Sequence, residues 1–263
     1  MIFFRAIRYL NYILLARHSK GHGIHSPFVF DIVSRIFRNK IDPEVVSTIE
    51  MVRKRLIADK RIINDNDQGA GSDRIKNRET RKVSDIARYS PVPKKYGALL
   101  FSMASEFGNP SMIELGTSLG ISGMYMASGC RNSILNTIEG SPQIAEIARE
   151  NFREAGIENI ILKDGLFDEI LPQLLSSQSN TGLVFIDGNH RKEPVLNYFR
   201  QIAEKSCSST VIIIDDIHYS REMEEAWNEI MRFDTVSVTI DIFRMGIVFF
   251  RRGVTHNNYI IRY

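Results

Sequence analysis

From Lys94 to the end of the chain, short apolar runs alternate with segments of helical periodicity. This alternation is typical of a mostly parallel sheet covered by helices on both faces. The last two runs break this alternation, because only a short connection separates them. The predicted strands are Ser111–Leu115, Ser133–Ile138, Asn159–Lys163, Gly182–Ile186, Ser209–Ile214, Thr235–Asp241 and Gly246–Arg251. The predicted helices are Lys94–Phe107, Ser118–Ser128, Pro142–Ala155, Leu166–Leu175, Glu193–Glu204 and Arg221–Arg232.

The first third of the chain is predicted to be helical. Three segments carry apolar residues at helical spacing, namely Phe3–Arg17, Pro27–Phe37 and Pro43–Ile57, and the last two begin at a proline, which a first helical turn tolerates. The polar stretch Asn64–Lys82 has no periodicity, so we expect a long loop. We therefore divide the chain into a helical extension or cap, residues 1–90, and an α/β domain, residues 91–263.

Composition and charge narrow the class of protein. Two cysteines without ligand-like spacing predict no disulfide framework and favour a cytoplasmic location. Residues 1–90 hold 18 Lys and Arg against 10 Asp and Glu, and the remaining residues hold 16 against 21. A basic first third can attract an anionic partner, but without a nucleic-acid motif a solvated helical face is the favoured interpretation, and no nucleic acid is expected. The apolar N-terminus is too short to span a bilayer, so it is expected to pack on the protein rather than on a membrane.

The segment between the first two predicted helices carries three histidines, His18, His22 and His25, among glycines. Such a cluster can bind a metal ion. An exposed loop or an interaction surface is the more common structure for it, and we favour that interpretation.

The loop after the first strand of the predicted sheet has the pattern Glu-x-Gly-x-x-x-Gly. Ligands of a doubly wound sheet bind outside the carboxyl ends of its strands, so this loop is a candidate cofactor site. The first glycine permits a tight turn and a close ligand, and the second permits close packing of the following helix. The candidate cofactor-binding residues of this loop are Glu114, Gly116, Thr117, Ser118 and Gly120.

The next two strands also end in acidic residues. Glu139 can accept hydrogen bonds from both hydroxyls of a ribose, and Gly140 and Ser141 follow it. Asp164 and Gly165 end the third strand. Asp164 can bind the cofactor, or it can cap the helix that follows. Both interpretations stay open.

These loops together resemble the cofactor site of class I methyltransferases, which bind S-adenosylmethionine (SAM). The resemblance implies a Rossmann-like fold with a seven-stranded, mostly parallel sheet and a closing antiparallel hairpin, here with the N-terminal helical extension. It also implies that Asp164 meets the adenine amino group. Asp187, at the fourth strand end, is counted among the cofactor-binding residues. The glycine order of nucleotide dehydrogenases, Gly-x-Gly-x-x-Gly, is absent, which argues against a nicotinamide-dependent enzyme.

Carboxylates at the ends of the fourth and fifth strands are the candidate catalytic groups. Asp187 precedes Gly-Asn-His190, and Asp215 and Asp216 end an apolar run. Repulsion between such acids would be relieved by a bound divalent cation such as Mg²⁺. We therefore predict that Asp187, Asp215 and Asp216 bind a metal. The alternative is that Asp215 and Asp216 cap the next helix.

This second set of residues resembles the metal-dependent O-methyltransferases. The sugar-modifying branch carries Asp-x-x-His at the fourth strand, which implies that His190 is the general base, with a hydrogen bond to backbone as its alternative. His218 is a weaker candidate for substrate contact. The catechol branch has Asp-Asn where this chain has Asp215-Asp216, which points away from that branch. The segment His22–Phe28 is also similar to uncharacterised methyltransferases of Bacteroidetes-type bacteria.

The sequence therefore predicts a SAM-dependent methyltransferase that transfers a methyl group to a hydroxyl of a small molecule, with a divalent metal and a histidine base. No Asn-Pro-Pro-Tyr segment is present, so amino methylation of bases is not expected. The alternative is a non-catalytic SAM- or nucleotide-binding module whose basic N-terminal region binds a partner or membrane. A homodimer stays open.

Overall fold

The fold is built on an eight-stranded sheet with helices on both faces. The structure is a computed structural model, and it describes residues 2–16, 24–64, 80–178 and 180–263. The strands are β1 Ile62–Asn64, β2 Thr80–Lys82, β3 Ser111–Leu115, β4 Ile134–Glu139, β5 Ile160–Asp164, β6 Leu183–Ile186, β7 Val211–Asp215, β8 Val238–Asp241, β9 Met245–Phe249 and β10 Asn257–Ile260. The helices are α1 Ile2–Leu15, α2 Pro27–Asp31 with a π-helical continuation Ile32–Ile36, α3 Pro43–Ala58, α4 Val83–Tyr89, α5 Lys94–Phe107, α6 Ile121–Gly129, α7 Pro142–Glu154, α8 Phe167–Ser177, α9 Lys192–Lys205 and α10 Arg221–Ile230.

The strand order confirms the predicted fold class. The large sheet runs β10-β8-β9-β7-β6-β3-β4-β5, and β3 to β7 are parallel. The predicted closing hairpin is present, because β9 lies antiparallel between β7 and β8. The sheet has one strand more than the seven predicted, namely β10, a short, partly exposed edge strand that pairs in parallel with β8.

Both faces of the central strands are buried, which explains their continuous apolar sequences. Leu183 and Phe185 of β6 pack into the core on one face, whereas Val184 and Ile186 pack into the core on the other. Successive side chains of a strand point to opposite faces, so a strand between two helical layers needs apolar residues at every position.

The N-terminal helices share these cores. Ile32 and Ile36 of the π-helical turn join the core that includes β6 and β7 residues, and Ile49 of α3 packs in a cluster with Tyr125 of α6. The division at residue 90 stays a prediction.

None of the helices in the described ranges is both long and apolar enough to cross a bilayer.

The predicted loop Asn64–Lys82 has a strand at each end. β1 and β2 pair antiparallel, and Ile63 of β1 is buried. Residues 65–79 lie outside the described residues, as do His18 and His22 of the predicted histidine segment. The sequence analysis also missed α4, the short helix that follows β2.

A buried carboxyl group lies in the central strand β3. Glu114 has no exposed surface, its Oε2 atom accepts a hydrogen bond of 2.6 Å from Thr137, and its Oε1 atom has no partner among the described residues. Burial raises the pKa of Glu114 to about 7, against hydrogen bonds from Ser122 and Thr137 that lower it. Desolvation therefore makes the charged form of this group unfavourable in the folded protein.

Replacing Glu114 by Gln should flatten the dependence of stability on pH. The pKa of this group rises from 4.5 to about 7 on folding, so the folded protein keeps a proton that the unfolded chain releases. The wild type should then lose about 3 kcal/mol of unfolding free energy as the pH rises through that window, and the variant should not. Urea titrations at both ends of the window measure this difference. Glu146→Gln, at an exposed carboxylate, should keep the wild-type slope, and an unchanged slope in E114Q would contradict the assignment.

The hairpin strand β9 packs against the indole of Trp227. A Cβ atom at Gly246 would lie 2.5 Å from Cζ3 of Trp227, and Trp227 is 2% exposed. Neither the strand nor the buried ring can move freely, so glycine is required here.

Gly246→Ala should therefore lower the unfolding free energy by about 1–3 kcal/mol through overpacking. Chemical denaturation measures the loss. Gly140→Ala is the matched control, because a Cβ atom there has no neighbour within 4 Å. Equal stability of the two variants would show that the contact between β9 and the indole is looser than described.

Candidate active site

The loop after β3 requires glycine at its first position. Gly116 has a φ of +102°, and a Cβ atom there would collide with the backbone carbonyl of Asp187, just after β6. The amides of Gly116 and Thr117 each donate to the carbonyl oxygen of Ile138 at 3.1 Å. This turn holds the carboxyl ends of β3, β4 and β6 together, the place where a parallel sheet binds its ligands.

Two residues with left-handed backbone precede the helix after this loop and move its first residue later in the chain. Ser118 has a φ of +48° and Gly120 a φ of +82°, so α6 begins at Ile121, and the predicted start at Ser118 was three residues too early. A Cβ atom at Gly120 would collide with the ring of Phe152 in α7. The second glycine of the motif therefore permits close packing between helices.

The carboxylate of Glu139 joins the first two loops. Its Oε2 atom accepts a hydrogen bond of 2.8 Å from the amide of Ser118, and its Oε1 atom accepts one of 3.0 Å from the amide of Ser141. Gly140 between them is exposed. Backbone donors thus fix this acid at the sheet edge, beside the loop that contains Gly116.

Asp164 lies next to Glu139 in the register of β4 and β5. Its carboxylate is bound to Arg149 at 2.7 Å and is 42% exposed. The helix-cap interpretation of Asp164 is wrong, because α8 begins after Leu166 without a capping side chain. The amide of Gly165 donates to the carbonyl of Glu139 at 3.0 Å, which keeps the third loop beside the second.

Asp187 and His190 come together at the end of β6. The Nε2 atom of His190 lies 3.6 Å from Oδ1 of Asp187, and the two side chains are 25% and 17% exposed. Burial raises the pKa of Asp187 well above its ordinary value, and the charge of Asp215 raises it further, whereas Arg244 opposes the rise. The ring of His190 lies 6.1 Å from the ring of Tyr219.

Asp215 is fully buried and forms a bidentate ion pair with Arg244. The Nε atom of Arg244 donates to Oδ1 at 3.0 Å, and its Nη2 atom donates to Oδ2 at 2.7 Å. Burial lowers the pKa of Arg244, but the charge and hydrogen bonds of Asp215 outweigh it and keep the guanidinium charged. Sequence reasoning missed Arg244. The available signal was a single arginine in the hairpin turn of an otherwise apolar pair of strands.

Asp216 follows β7 with a φ of +54°. Burial raises its pKa and the charge of Asp215 raises it further, whereas His190, Arg244 and Arg5 lower it. The alternative that these acids cap the next helix is wrong, because Ser220 caps α10 through its side chain.

The predicted metal ligands meet at one edge of the sheet, but they do not form an open ligand set. Among the described residues, no three His, Cys, Asp or Glu side chains form a group that could hold a metal ion. Both oxygens of Asp215 accept hydrogen bonds from Arg244. A divalent ion needs carboxylate oxygens directed at itself, so Asp187, Asp215 and Asp216 do not fit a metal in this arrangement.

His218 belongs to the support of the hairpin turn. Its Nε2 atom lies 2.8 Å from Oδ2 of Asp241, and its ring stacks on Phe243 with centroids 5.5 Å apart. The amide of Phe243 donates to the other oxygen of Asp241 at 2.7 Å. These contacts fix the turn that presents Arg244.

Helix α1 packs beside this edge. The guanidinium of Arg5 lies 5.2 Å from the ring centroid of Tyr219, and Arg8 is paired with Glu224 at 2.9 Å. Tyr9 meets Phe243 edge to face with centroids 5.0 Å apart. The extension thus contacts the loops that follow β7 and β8.

Sequence comparison matches residues 113–217 to the model of a methyltransferase domain. A probable O-methyltransferase of Mycobacterium tuberculosis is 34% identical over 116 residues, which cover 43% of this chain and 50% of the relative. A second relative, also named as an O-methyltransferase, comes from Mycolicibacterium smegmatis. It is 31% identical over 136 residues, which cover 51% of this chain and 63% of the relative. The chain thus matches only half to somewhat under two thirds of the length of these relatives.

Structure comparison extends the likeness beyond the matched segment. The O-methyltransferase of Bacillus cereus in complex with SAH has a TM-score of 0.57 at 20% identity, with 84% of this chain and 97% of that chain covered. The O-methyltransferase TomG of Streptomyces achromogenes, in complex with SAM, has a TM-score of 0.55 at 17% identity and covers 85% of this chain and 96% of its own. The resemblance to the Bacteroidetes-type proteins stays a prediction. The chain has the Rossmann-like fold of class I methyltransferases, and its resemblance to that family is confirmed.

Proposed function

We propose that this protein is a SAM-dependent methyltransferase that methylates a hydroxyl group of a small molecule. One observation carries the proposal: the loop of Gly116, the carboxylate of Glu139 and the pair Asp187–His190 converge at one sheet edge, inside the segment that matches a methyltransferase domain. A nucleoside site can hold the methyl donor, and a histidine beside it can take a proton from a hydroxyl group, so the two together suit methyl transfer to oxygen.

The residues at this edge fit SAM. Glu139 is held by two backbone amides where a ribose would lie, and Gly140 leaves the space beside it open. Asp164, at the adjoining strand end, would meet the adenine, although it is paired with Arg149 here. SAM would supply a methyl group on a sulfonium centre, which makes transfer largely a matter of position and of a deprotonated acceptor.

His190 is the proposed general base. A ring nitrogen of His190 would accept the proton of the acceptor hydroxyl. The oxygen would then take the methyl group that SAM supplies, and the electron pair of the carbon–sulfur bond would stay on the departing sulfur. Asp187, whose Oδ1 atom lies 3.6 Å from Nε2 of His190, is the polar neighbour that would position the ring. The proton then leaves to water, which restores the base for the next turnover.

The N-terminal helix is the proposed wall of the acceptor site. Arg5 of α1 contacts Tyr219 of the α/β domain, and Arg8 of α1 pairs with Glu224 of the same domain. That arrangement supports a cap over the cleft in preference to a basic surface for a partner or membrane. The cytoplasmic location and a homodimer remain predictions from the sequence.

Calorimetry with SAM tests the cofactor assignment. The wild type should bind one SAM, and Glu139→Gln should weaken binding at least tenfold because an amide offers one acceptor where the carboxylate offers two. Glu146→Gln, an exposed carboxylate on the neighbouring helix, should bind as the wild type does. Circular dichroism confirms that the variants are folded. No heat of binding with the wild type would overturn the proposed function.

His190→Gln tests the base. With an acceptor found by screening phenols and alcohols against methyl-labelled SAM, kcat should fall by about 10²–10⁴-fold. The affinity for SAM should stay unchanged. His25→Gln, at an exposed histidine, is the control. A kcat within threefold of the wild-type value in H190Q would exclude this histidine as the base.

A further inference from the structure

The positive charge beside the carboxylates of this site comes from a side chain of the protein, Arg244. Arg244 reaches from the β8–β9 turn to the end of β7, where two of its nitrogen atoms bind Asp215. The charges of Asp216 and Asp187 act on the same guanidinium. A cation stabilises the ionised form of acids at one sheet edge, and the paired arginine supplies that positive charge without an added ion.

One edge of the guanidinium remains available to a ligand. Asp215 uses the Nε and Nη2 edge, and Nη1 donates to none of the residues that the structure describes. The side chain is 24% exposed. The ring centroid of Tyr96 lies 5.6 Å from Cζ of Arg244, so an aromatic side chain lies beside the guanidinium.

The hairpin holds Arg244 in this position. The amide of Arg244 donates to the carbonyl of Ile242 at 2.9 Å, and its carbonyl accepts a hydrogen bond of 3.2 Å from the amide of Ile217. Asp241 and His218 brace the same turn. The guanidinium is therefore preorganised on a rigid turn, which favours a role in binding.

We propose that Arg244 takes the place of a divalent metal in this site and that its Nη1 edge binds the acceptor oxygen as that oxygen loses its proton. The inference rests on the proposed function. A fixed guanidinium stabilises the developing negative charge on oxygen by charge-assisted hydrogen bonds. Methyl transfer then needs no bound metal ion, and Asp215 serves to orient Arg244.

Metal binding and methyl transfer are measured on the same variants. Mn²⁺, followed by its electron paramagnetic resonance signal, should not bind to the wild-type protein at micromolar concentration, and turnover should be the same in EDTA as in Mg²⁺. Arg244→Met exposes the three carboxylates, so this variant should gain Mn²⁺ binding and lose at least 100-fold in kcat. Arg35→Met is the matched control, because Arg35 also forms bidentate contacts with carboxylates, away from this edge. It should change neither readout.

A double variant separates the loss of Arg244 from a loss of folding. Removing Arg244 alone leaves a buried charge on Asp215, which is destabilising, whereas Arg244→Met with Asp215→Asn removes both charges. This variant should fold, bind SAM as the wild type does, bind no Mn²⁺ and turn over at least 100-fold more slowly. Stoichiometric Mn²⁺ binding by the wild type, or a double variant with kcat within threefold of the wild type, overturns the inference. Absence of SAM binding by the wild type would instead overturn the proposed function.

Discussion

The crowding of carboxylates at one edge of a parallel sheet is the constraint that the candidate site must satisfy. Parallel strands bring their carboxyl ends together. Here Asp187 follows β6, Asp215 is the last residue of the adjacent strand β7, and Asp216 comes next. Acids this close and this buried repel each other and lose hydration, which raises the pKa of Asp187 and Asp216, and an opposite charge beside them opposes that rise. The bidentate pair between Asp215 and Arg244 provides it and also ties the closing hairpin to the centre of the sheet.

Periodicity and strand-end chemistry predicted most of this arrangement. The apolar runs of β6 and β7 could be recognised because both faces of each strand are buried, and Gly116 and Glu139 could be recognised because they follow such runs. The partner of Asp215 could not be predicted, since Arg244 lies 29 positions later in a turn whose geometry depends on strand pairing. The start of α6 was misplaced because left-handed backbone at Ser118 leaves no periodic signal. The edge strand β10 is short and half exposed, which gives a weak pattern.

Helix α1 contacts the last residues of the chain. The hydroxyl of Tyr12 in α1 donates to the carbonyl of Ile261 at 2.7 Å and accepts from the amide of Tyr263 at 3.1 Å. The ring of Tyr263 packs on Tyr96, the aromatic neighbour of Arg244. Helix α1 and Arg244 are thus linked through the rings of Tyr263 and Tyr96.

A crystal structure of the protein grown with SAH and soaked in Mn²⁺ tests the central claim most directly. The account predicts the ribose hydroxyls of SAH on Glu139, the guanidinium of Arg244 paired with Asp215, and no anomalous peak among Asp187, Asp215 and Asp216. A manganese peak bound by these three carboxylates, with Arg244 turned away from Asp215, would contradict it.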